Sequence, residues 1–310
     1  MTAVATSRLG LGTAALAGLY AETDVTTALE TIDRAWELGV RYFDTAPAYG
    51  SGLAEQRLGE ALRHRPRDEF LISTKVGRLL RPGTPSPMFK GAPRLAPLVD
   101  FSADGLRRSL AESLERLGLD RVDIVYVHDP EGHIDTAIAA LTSLRDLASE
   151  LGVGTKSVAT ALDFARHGEI DHLLIAGRYT PLDDSAGAAL LDLCATREIK
   201  VTAAGVFNSG LLCGGTTYDY HDAPAREVQR TRRLDELCAR YDVPLAALAL
   251  QFPLRNGAVT NILLGPRSPA ELEQSFELLS HDIPDALWQE PLVPRAGAAA
   301  GAGAVPMSER

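Results

Sequence analysis

The sequence predicts a single-domain (β/α)8 TIM barrel with long loops at its C-terminal face. Eight short apolar runs are each followed by at least one amphipathic helical pattern, and this alternation is typical of a parallel sheet. The eight repeats occupy about 275 residues, which is an ordinary length for one such barrel. No linker divides the chain, so residues 1–290 are expected to form one domain.

The strand predictions rest on short runs that are apolar almost throughout, as expected for strands that are covered on both faces. Most of these runs are bounded by Gly or by a charged residue. The predicted strands cover 8–13, 40–45, 70–75, 123–129, 155–159, 172–177, 200–206 and 260–265.

The helix predictions rest on apolar residues that recur every three or four positions. In the third helix Leu106, Leu110, Leu114 and Leu117 share one face, Ser102 is a candidate N-cap and the pattern ends at Gly118. The predicted helices cover 27–39, 53–64, 102–118, 134–150, 160–168, 184–197, 224–241, 244–255 and 268–279.

Both ends of the chain need separate interpretation. The apolar stretch after Arg8 has the length of a short signal peptide, but it holds three glycines and is predicted to be the first strand instead. Residues 291–310 are rich in Ala and Gly, and we expect them to form a disordered tail.

Charge and composition exclude several classes of partner. The net charge is −10 and no basic cluster is long enough to follow a phosphate backbone, so a nucleic-acid partner is not expected. No stretch has the apolar length of a membrane span. Cys194, Cys213 and Cys238 form no CxxC pair, so we expect packing cysteines, no metal site and a reducing, cytoplasmic environment. The oligomeric state is left open.

One long irregular stretch, residues 78–100, follows the third predicted strand. Loops of this length are usually functional or disordered. This one lies at the C-terminal face, where barrel enzymes carry their sites, so it is interpreted as a substrate loop, with a plain insertion as the alternative.

Ionisable residues stand at the ends of three consecutive predicted strands. Asp44 ends the second strand and is followed closely by Tyr49, Lys75 ends the third and His128 ends the fourth. An unpartnered buried charge costs several kcal/mol, so these four side chains are expected to face one another at the barrel mouth. The alternative is a set of unrelated ion pairs that cap the barrel.

The four residue types suit proton transfer at a carbonyl or alcohol oxygen. A phenol has an ordinary pKa of about 10, and a nearby cation favours its ionised form. We therefore expect Tyr49 to be the acid/base, Lys75 to lower its pKa, Asp44 to hold Lys75 and His128 to orient the substrate oxygen. None of these groups supplies a hydride, so a redox reaction needs a nicotinamide.

Three motifs, FDTAPAYG, ISTKVG and YVHDP, resemble those that carry the Asp/Tyr/Lys/His tetrad of the aldo-keto reductases. The resemblance extends over residues 7–288 and implies a (β/α)8 barrel that binds NAD(P) at its C-terminal face. Further segments, among them AGRYTPLD and AAGVFNSGLL, resemble the aldose dehydrogenase branch, which includes L-fucose and D-threo-aldose 1-dehydrogenases.

The resemblance also implies cofactor-binding positions. Those expected to contact the nicotinamide and its ribose are Gly12, Thr13 and Tyr179. Those expected around the pyrophosphate and the adenosine end are Phe207, Asn208, Ser209, Gly210, Leu211, Gly265, Arg267 and Ser268. Tyr179 has a core position as its alternative, and Arg267 does not decide between NAD and NADP, since Arg binds a phosphate and also stacks on adenine.

Two positions depart from the family pattern. Lys156 or Ser157 stands where many members have an Asn that contacts the carboxamide, and Gln274 and Ser275 stand where members often have Glu-Asn at the adenine. The resemblance implies a small-molecule carbonyl or sugar substrate, and the main expectation is oxidation of an aldose to a lactone. Pyridoxal or another carbonyl is the alternative, and a non-catalytic nicotinamide-binding regulatory subunit is a remote one.

Overall fold

Eight parallel strands close into a barrel in the computed structural model, which describes residues 6–295. Each strand pairs with the barrel strands that precede and follow it in the chain, and the first pairs with the last. The barrel strands are β1 (Leu9–Gly12), β2 (Tyr42–Asp44), β3 (Leu71–Val76), β4 (Val122–His128), β5 (Ala148–Thr155), β6 (His172–Ala176), β7 (Lys200–Ala204) and β8 (Val259–Leu264). The predicted fold class is confirmed.

Helices separate the strands. They are α1 (Val25–Glu37), α2 (Leu53–Leu62), α3 (Ala103–Leu117), α4 (Ile134–Leu141), α5 (Val158–His167), α6 (Ala188–Thr196), α7 (Ala225–Ala239), α8 (Leu245–Gln251), α9 (Pro269–Ser280) and α10 (Asp285–Trp288). The predicted cap of α3 is confirmed, because the Ser102 side chain accepts from the Gly105 N–H and Gly118 ends the helix with φ 63°.

The core has two layers. A large outer cluster fills the space between the strands and the helices. A smaller inner cluster lies inside the barrel and consists of Tyr42, Ile124, Tyr126, Leu174 and Leu263. The inside of the barrel is therefore a packed core, and barrels of this kind carry their ligand sites at the C-terminal ends of the strands.

The fifth strand lies earlier than predicted. The predicted strand 155–159 is wrong, because β5 ends at Thr155 and α5 begins at Val158. The predicted helix 134–150 is too long, because the helix ends at Leu141. The prediction ran on because the helical spacing of apolar residues continues into the beginning of β5. Gly152 allows the close strand pairing there: a Cβ atom at this position would lie 2.0 Å from the His172 carbonyl oxygen.

The segment 78–100 was expected to be irregular, and this expectation is wrong. It contains an antiparallel hairpin formed by Arg78–Pro82 and Leu95–Val99. Its tip pairs with the loop after β1: the Tyr20 N–H donates to the Met88 carbonyl (2.8 Å) and the Lys90 N–H donates to that of Gly18 (2.8 Å). Only glycine fits at position 18, where φ is 92° and a Cβ would lie 2.2 Å from the Lys90 carbonyl oxygen. The two loops are thus held together over the barrel mouth.

A second excursion follows β7. It includes two short paired strands, Thr217–Tyr218 and His221–Asp222, with Asp219 and Tyr220 in the left-handed region at their tip. We call residues 215–222 the strap. Arg178 forms ion pairs with Asp219 of the strap and with Asp183, which holds the strap to the loop after β6.

The ends of the described chain bear on two predictions. Residues 9–12 are a barrel strand that is paired on both edges, as the strand interpretation of this segment requires. Val293 is buried, residues 296–310 of the predicted tail lie outside the described residues, and the division at 290 stays a prediction. Cys194 and Cys238 are packing residues, whereas Cys213 is exposed. No helix within residues 6–295 is long and apolar enough to cross a membrane.

Candidate active site

A buried ion pair lies at the mouth of the barrel. The Lys75 ammonium lies 2.6 Å from Asp44 Oδ2 and donates to the Thr45 carbonyl at 2.9 Å. Strand register brings the pair together, because β2 and β3 are neighbours and Asp44 is opposite Ser73, whose hydroxyl donates to Asp44 Oδ1 at 2.7 Å. Both side chains are almost completely buried, so their charges must neutralise each other.

Tyr49 lies directly above this pair. The Lys75 ammonium is 4.7 Å from the centre of the Tyr49 ring, and the His128 ring meets the Tyr49 ring edge-on at 5.8 Å. The structure therefore brings the four predicted tetrad residues together at one end of the barrel, although 84 positions separate Asp44 from His128.

The electrostatics of Tyr49 differ from the expectation. Burial raises the pKa of the Tyr49 phenol well above its usual value, and the carboxylates of Asp44 and Asp129 raise it further. Within residues 6–295 no hydrogen bond joins the Tyr49 hydroxyl to Lys75, whose charge is already satisfied by Asp44 and Thr45. Burial therefore dominates the pKa of Tyr49 in this arrangement, and the phenol is protonated at neutral pH. The lowering by Lys75 stays a prediction for the working complex.

His128 is neutral. Burial lowers its pKa well below the usual value, and the positive charges of Lys75 and Arg78 lower it further. Its Nδ1 atom is buried and has no hydrogen-bond partner among the described residues. A buried polar atom without a partner is costly, and the ring that carries this one meets the Tyr49 ring edge-on.

Asp129 is a neighbour of the site that sequence reasoning did not single out. Its backbone is left-handed, with φ 44°, and burial together with the negative charge of Glu131 raises its pKa to about 6. The Arg78 guanidinium donates to its carbonyl oxygen at 2.9 Å. Its place directly after His128 in YVHDP was the available signal.

Three aromatic rings near Tyr49 were also missed. Phe89, from the hairpin tip, stacks on the Tyr49 ring at 6.1 Å, and Tyr20 and Tyr220 form a second pair at 6.2 Å. The Tyr49 and Tyr20 phenols both raise the pKa of Tyr220, after the larger effect of burial, so the two pairs share one end of the barrel. Nothing local in the sequence predicts this, since the rings come from three separate loops.

The segment after β7 forms a tight turn. Asn208, Ser209 and Gly210 all have positive φ, and the Asn208 amide is used internally: it donates to the Gly177 carbonyl (3.0 Å) and accepts from Thr180 (2.7 Å). Asn208 therefore stabilises this turn, and its expected contact with the cofactor stays a prediction. Leu211 is buried, and Phe207 packs partly against the core.

Ser209 and Arg267 are predicted cofactor positions from distant segments of the chain, and both lie near Tyr20. The Arg267 guanidinium lies 5.8 Å from the centre of the Tyr20 ring, and Ser209 and Arg267 both lower the Tyr20 pKa against the larger, raising effect of burial. Gly265 is exposed, and Ser268 caps α9 by accepting from the Glu271 N–H. A helix N-terminus beside an Arg and a Ser favours a phosphate.

Two positions expected near the nicotinamide lie inside the protein. Tyr179 is 2% exposed, its ring packs on Phe252 at 5.1 Å, and its hydroxyl accepts from Asn256. This position is the one that the core alternative for Tyr179 describes, and a stacking role on the nicotinamide stays a prediction. Thr13 is buried as well, and its hydroxyl donates to the Asp44 carbonyl at 3.0 Å, so it helps to fix the backbone at Asp44. Gly12 ends β1 beside Asp44.

The departures from the family pattern have definite positions. Ser157 is the N-cap of α5, and the Lys156 ammonium lies over the Tyr220 ring at 4.7 Å. Gln274 is exposed on α9, whereas the Ser275 hydroxyl donates to the Glu271 carbonyl within the same helix. Across residues 6–295 no group of three or more His, Cys, Asp or Glu side chains is arranged to hold a metal ion.

Comparison with known proteins agrees with this architecture. The model of the aldo/keto reductase family matches residues 8–290. D-threo-aldose 1-dehydrogenase from Pseudomonas sp is 41% identical over 91% of this chain and 92% of its own length. Pyridoxal 4-dehydrogenase from Microbacterium luteolum is 38% identical over 93% of both chains.

Solved structures share the fold. The holo form of an aldo-keto reductase from Bacillus halodurans superposes with a TM-score of 0.76 at 24% identity, over 93% of both chains. A glycerol dehydrogenase from Gluconobacter oxydans has a TM-score of 0.70 at 21% identity, over 92% of this chain and 93% of its own.

Proposed function

The chain belongs to the aldo/keto reductase family and is an NAD(P)-dependent oxidoreductase; from this premise we propose that it oxidises the C1 hydroxyl of an aldose to a lactone. The observation that carries the chemistry is the phenol of Tyr49 above the buried Asp44–Lys75 pair, with neutral His128 beside it. The aldose comes from the 41% identical relative, whose name states that substrate class.

Tyr49 and His128 would together hold the C1 oxygen of the sugar. The His128 ring meets the Tyr49 ring edge-on at 5.8 Å, and a neutral imidazole can donate one hydrogen bond. That bond orients the oxygen without adding a charge, and the Tyr49 phenolate accepts the hydroxyl proton. Before this proton is transferred, the Lys75 ammonium stabilises the negative charge of the phenolate.

Conversion of the hemiacetal carbon C1 into the lactone carbonyl needs an acceptor for its hydride, and a nicotinamide held at this face would supply that acceptor. The residues that fit its phosphates are Ser209, Arg267 and the N-terminus of α9, which the structure brings together beside Tyr20. Gly12 and Thr13, which the family resemblance assigns to the nicotinamide ribose, lie next to Asp44.

The second candidate is oxidation of pyridoxal, or reduction of another carbonyl. The 38% identical relative is named for pyridoxal, and a Tyr49 phenol that is protonated at neutral pH is ready to act as an acid in the reductive direction. The ring of an aromatic substrate would also suit Phe89 and the Tyr20–Tyr220 pair.

The experiment tests a panel of substrates and detects turnover by the near-ultraviolet absorbance of the reduced nicotinamide. Purified protein is mixed with NAD or NADP and with L-fucose, D-arabinose, L-galactose or pyridoxal, each in turn. Growth of reduced cofactor with a sugar, together with detection of the lactone, supports the first proposal. A signal with pyridoxal alone supports the second, and bound cofactor without turnover of any substrate indicates a regulatory subunit.

A further inference from the structure

Tyr49 is carried by a short turn with an unusual backbone. We call Tyr49–Gly52 the phenol turn. The three residues after Tyr49 all lie in the left-handed region, with φ 59° at Gly50, 52° at Ser51 and 93° at Gly52. This conformation is unfavourable for Ser51, which carries a Cβ atom. The turn therefore keeps its shape because other parts of the molecule fix it, and the position of the phenol depends on them.

The helix that follows the phenol turn begins without a capping side chain. Gly52 is the N-cap of α2 and has no side chain that could bond the first N–H groups of the helix. Glu55 lies in the first turn of α2, at the position from which a Glu side chain can bond back to the backbone of the N-cap. It is completely buried, and its carboxylate bonds to β3 and α3 instead.

The Glu55 carboxylate is shared between two donors. The Thr74 hydroxyl donates to Oε1 at 2.7 Å, and Arg116 Nε donates to Oε2 at 2.6 Å. Arg116 also donates to the Ser113 hydroxyl at 3.2 Å, which fixes its guanidinium further. A buried carboxylate is costly without such partners, so this arrangement has one favourable geometry. We call Glu55, Thr74 and Arg116 the clamp.

One side of the clamp belongs to the strand that carries Lys75. Successive side chains of a strand point to opposite faces. Ser73 and Lys75 both bond Asp44 inside the barrel. Thr74 lies between them, faces the helices and bonds Glu55. Three consecutive residues of β3 therefore hold the buried ion pair on one face and the first turn of α2 on the other.

The other side of the clamp packs against the phenol turn itself. A Cβ atom at Gly52 would lie 2.8 Å from Arg116 Cδ, so the arginine stem lies directly against the backbone of the turn. On the opposite side, the Ser51 hydroxyl donates to the Leu95 carbonyl at 2.7 Å and connects the turn to the hairpin. The turn is thus held from below by the clamp and from above by the hairpin.

We propose that Glu55 is a positioning residue, which acts through Thr74 and Arg116 to fix the Tyr49 phenol over Lys75. The Lys75 ammonium meets the Tyr49 ring at 4.7 Å from its centre, and the clamp is a second connection between the same two segments, made behind the site. The catalytic consequence rests on the proposed function. A displacement of about 1 Å at a reacting group can lower a rate about a hundredfold.

The test is Thr74→Val, which removes the hydroxyl at nearly constant volume and keeps the Glu55–Arg116 pair. We expect kcat to fall about tenfold while the KM values for cofactor and sugar stay within about twofold of wild type, because the binding groups are unchanged. Thr74→Ser restores the hydroxyl and should restore kcat. Thr31→Val is the matched control, since Thr31 is also completely buried and its hydroxyl donates within α1, and kcat should stay at the wild-type value.

The position of Tyr49 can also be followed without turnover. The full-length protein is labelled with 3-fluorotyrosine, and the ¹⁹F signal of Tyr49 is assigned from its loss in Tyr49→Phe. Wild type, Thr74→Ser and Thr31→Val should each show one sharp Tyr49 resonance. Thr74→Val should show a broadened or divided resonance, because the phenol turn then adopts more than one arrangement.

Glu55→Gln is the second variant. It keeps the volume of the side chain and removes the charge that meets Arg116, so it should broaden the Tyr49 resonance and lower kcat as Thr74→Val does. Either variant decides the test if the other does not fold.

Three results would overturn the proposal. The first is a Tyr49 resonance that stays single, or a kcat that stays at the wild-type value, in Thr74→Val. The second is an equal loss of kcat in Thr31→Val, because general destabilisation would then be the cause. The third is a Thr74→Ser variant that stays as slow as Thr74→Val. Absent turnover in wild type would count against the proposed function, whereas the ¹⁹F spectra would still decide whether the clamp positions Tyr49.

Discussion

The strand ends and the loops of this barrel meet the same ligand space but are built in different ways. Asp44, Lys75 and His128 are the last or nearly last residues of neighbouring strands, and register alone brings them together. The strap and the hairpin tip reach the mouth only through contacts with other loops, such as those of Arg178 with Asp219 and of Tyr20 with Met88.

The two regions differ in how firmly they hold a side chain in position. A side chain on a barrel strand is held by the hydrogen bonds to both neighbouring strands and by the packed interior. Its position therefore does not depend on the ordering of a loop. A side chain on a loop is held by a few exposed or half-buried contacts, and its position depends on them. We therefore expect variants at the strand ends, and at Tyr49 in the turn that follows β2, to change the chemistry or the stability. Variants in the hairpin tip and the strap are expected to change binding.

The largest effect is expected from Tyr49→Phe. Removal of the acid/base should lower kcat by about 10²-fold to 10⁴-fold, since this is the range that proton transfer by a positioned side chain contributes. The ring remains to pack against Phe89 and His128, so cofactor affinity and thermal stability should stay close to wild type. Steady-state kinetics and cofactor titration by fluorescence measure the two quantities.

Tyr241→Phe, which removes a phenol distant from the mouth, should retain wild-type kcat and thus excludes a general effect of losing a hydroxyl. If Tyr49→Phe keeps full activity, the assignment of Tyr49 as the acid/base is wrong.

Asp44→Asn should have the largest effect on stability. It leaves the Lys75 ammonium buried without a counter-charge, and breaking a buried pair costs about 3–5 kcal/mol of the free energy of unfolding. Urea denaturation followed by circular dichroism measures this. Glu37→Gln, which breaks the surface pair with Arg34, should give no measurable change. Equal effects of the two variants would show that the strand-end pair is not held as described.

The pH dependence tests the electrostatics of the strand ends. Oxidation needs the Tyr49 phenolate, and burial raises the pKa of this phenol well above its usual value. Below that pKa the phenolate fraction, and with it kcat for oxidation, should rise about tenfold per pH unit in the alkaline direction. Reduction needs the protonated phenol and should stay level over the same range. An oxidation rate that levels off near neutral pH would show that Lys75 lowers the pKa in the working complex.

The same contrast explains what the sequence could predict. The barrel, its strand order and the meeting of Asp44, Tyr49, Lys75 and His128 follow from short apolar runs with ionisable residues at their ends. The beginning of β5 was missed because the ALTSLRDLASELG stretch keeps helical spacing across a strand boundary.

The internal use of the Asn208 amide was missed, and the burial of Tyr179 was only an alternative, because both depend on side chains far along the chain, Phe252 and Thr180 among them. A motif indicates which residue stands at a position, but not whether its neighbours have already taken up its hydrogen bonds. The raised pKa of Tyr49 is of the same kind, since it depends first on how completely the surrounding loops bury the phenol and then on the charges of Asp44 and Asp129.

The smallest effect is expected in the strap. Asp219→Asn removes the ion pair with Arg178, which keeps its second partner Asp183, so the strap should loosen without unfolding. If the strap covers the cofactor, the KM for NAD(P) should rise about fivefold, the effect of about 1 kcal/mol, while kcat is unchanged or higher because product cofactor leaves faster. Asp222→Asn is the control, as it lies exposed on the same strap and forms no ion pair within residues 6–295. A fall in kcat with an unchanged KM would place Asp219 with the strand-end residues and remove the distinction between the two regions.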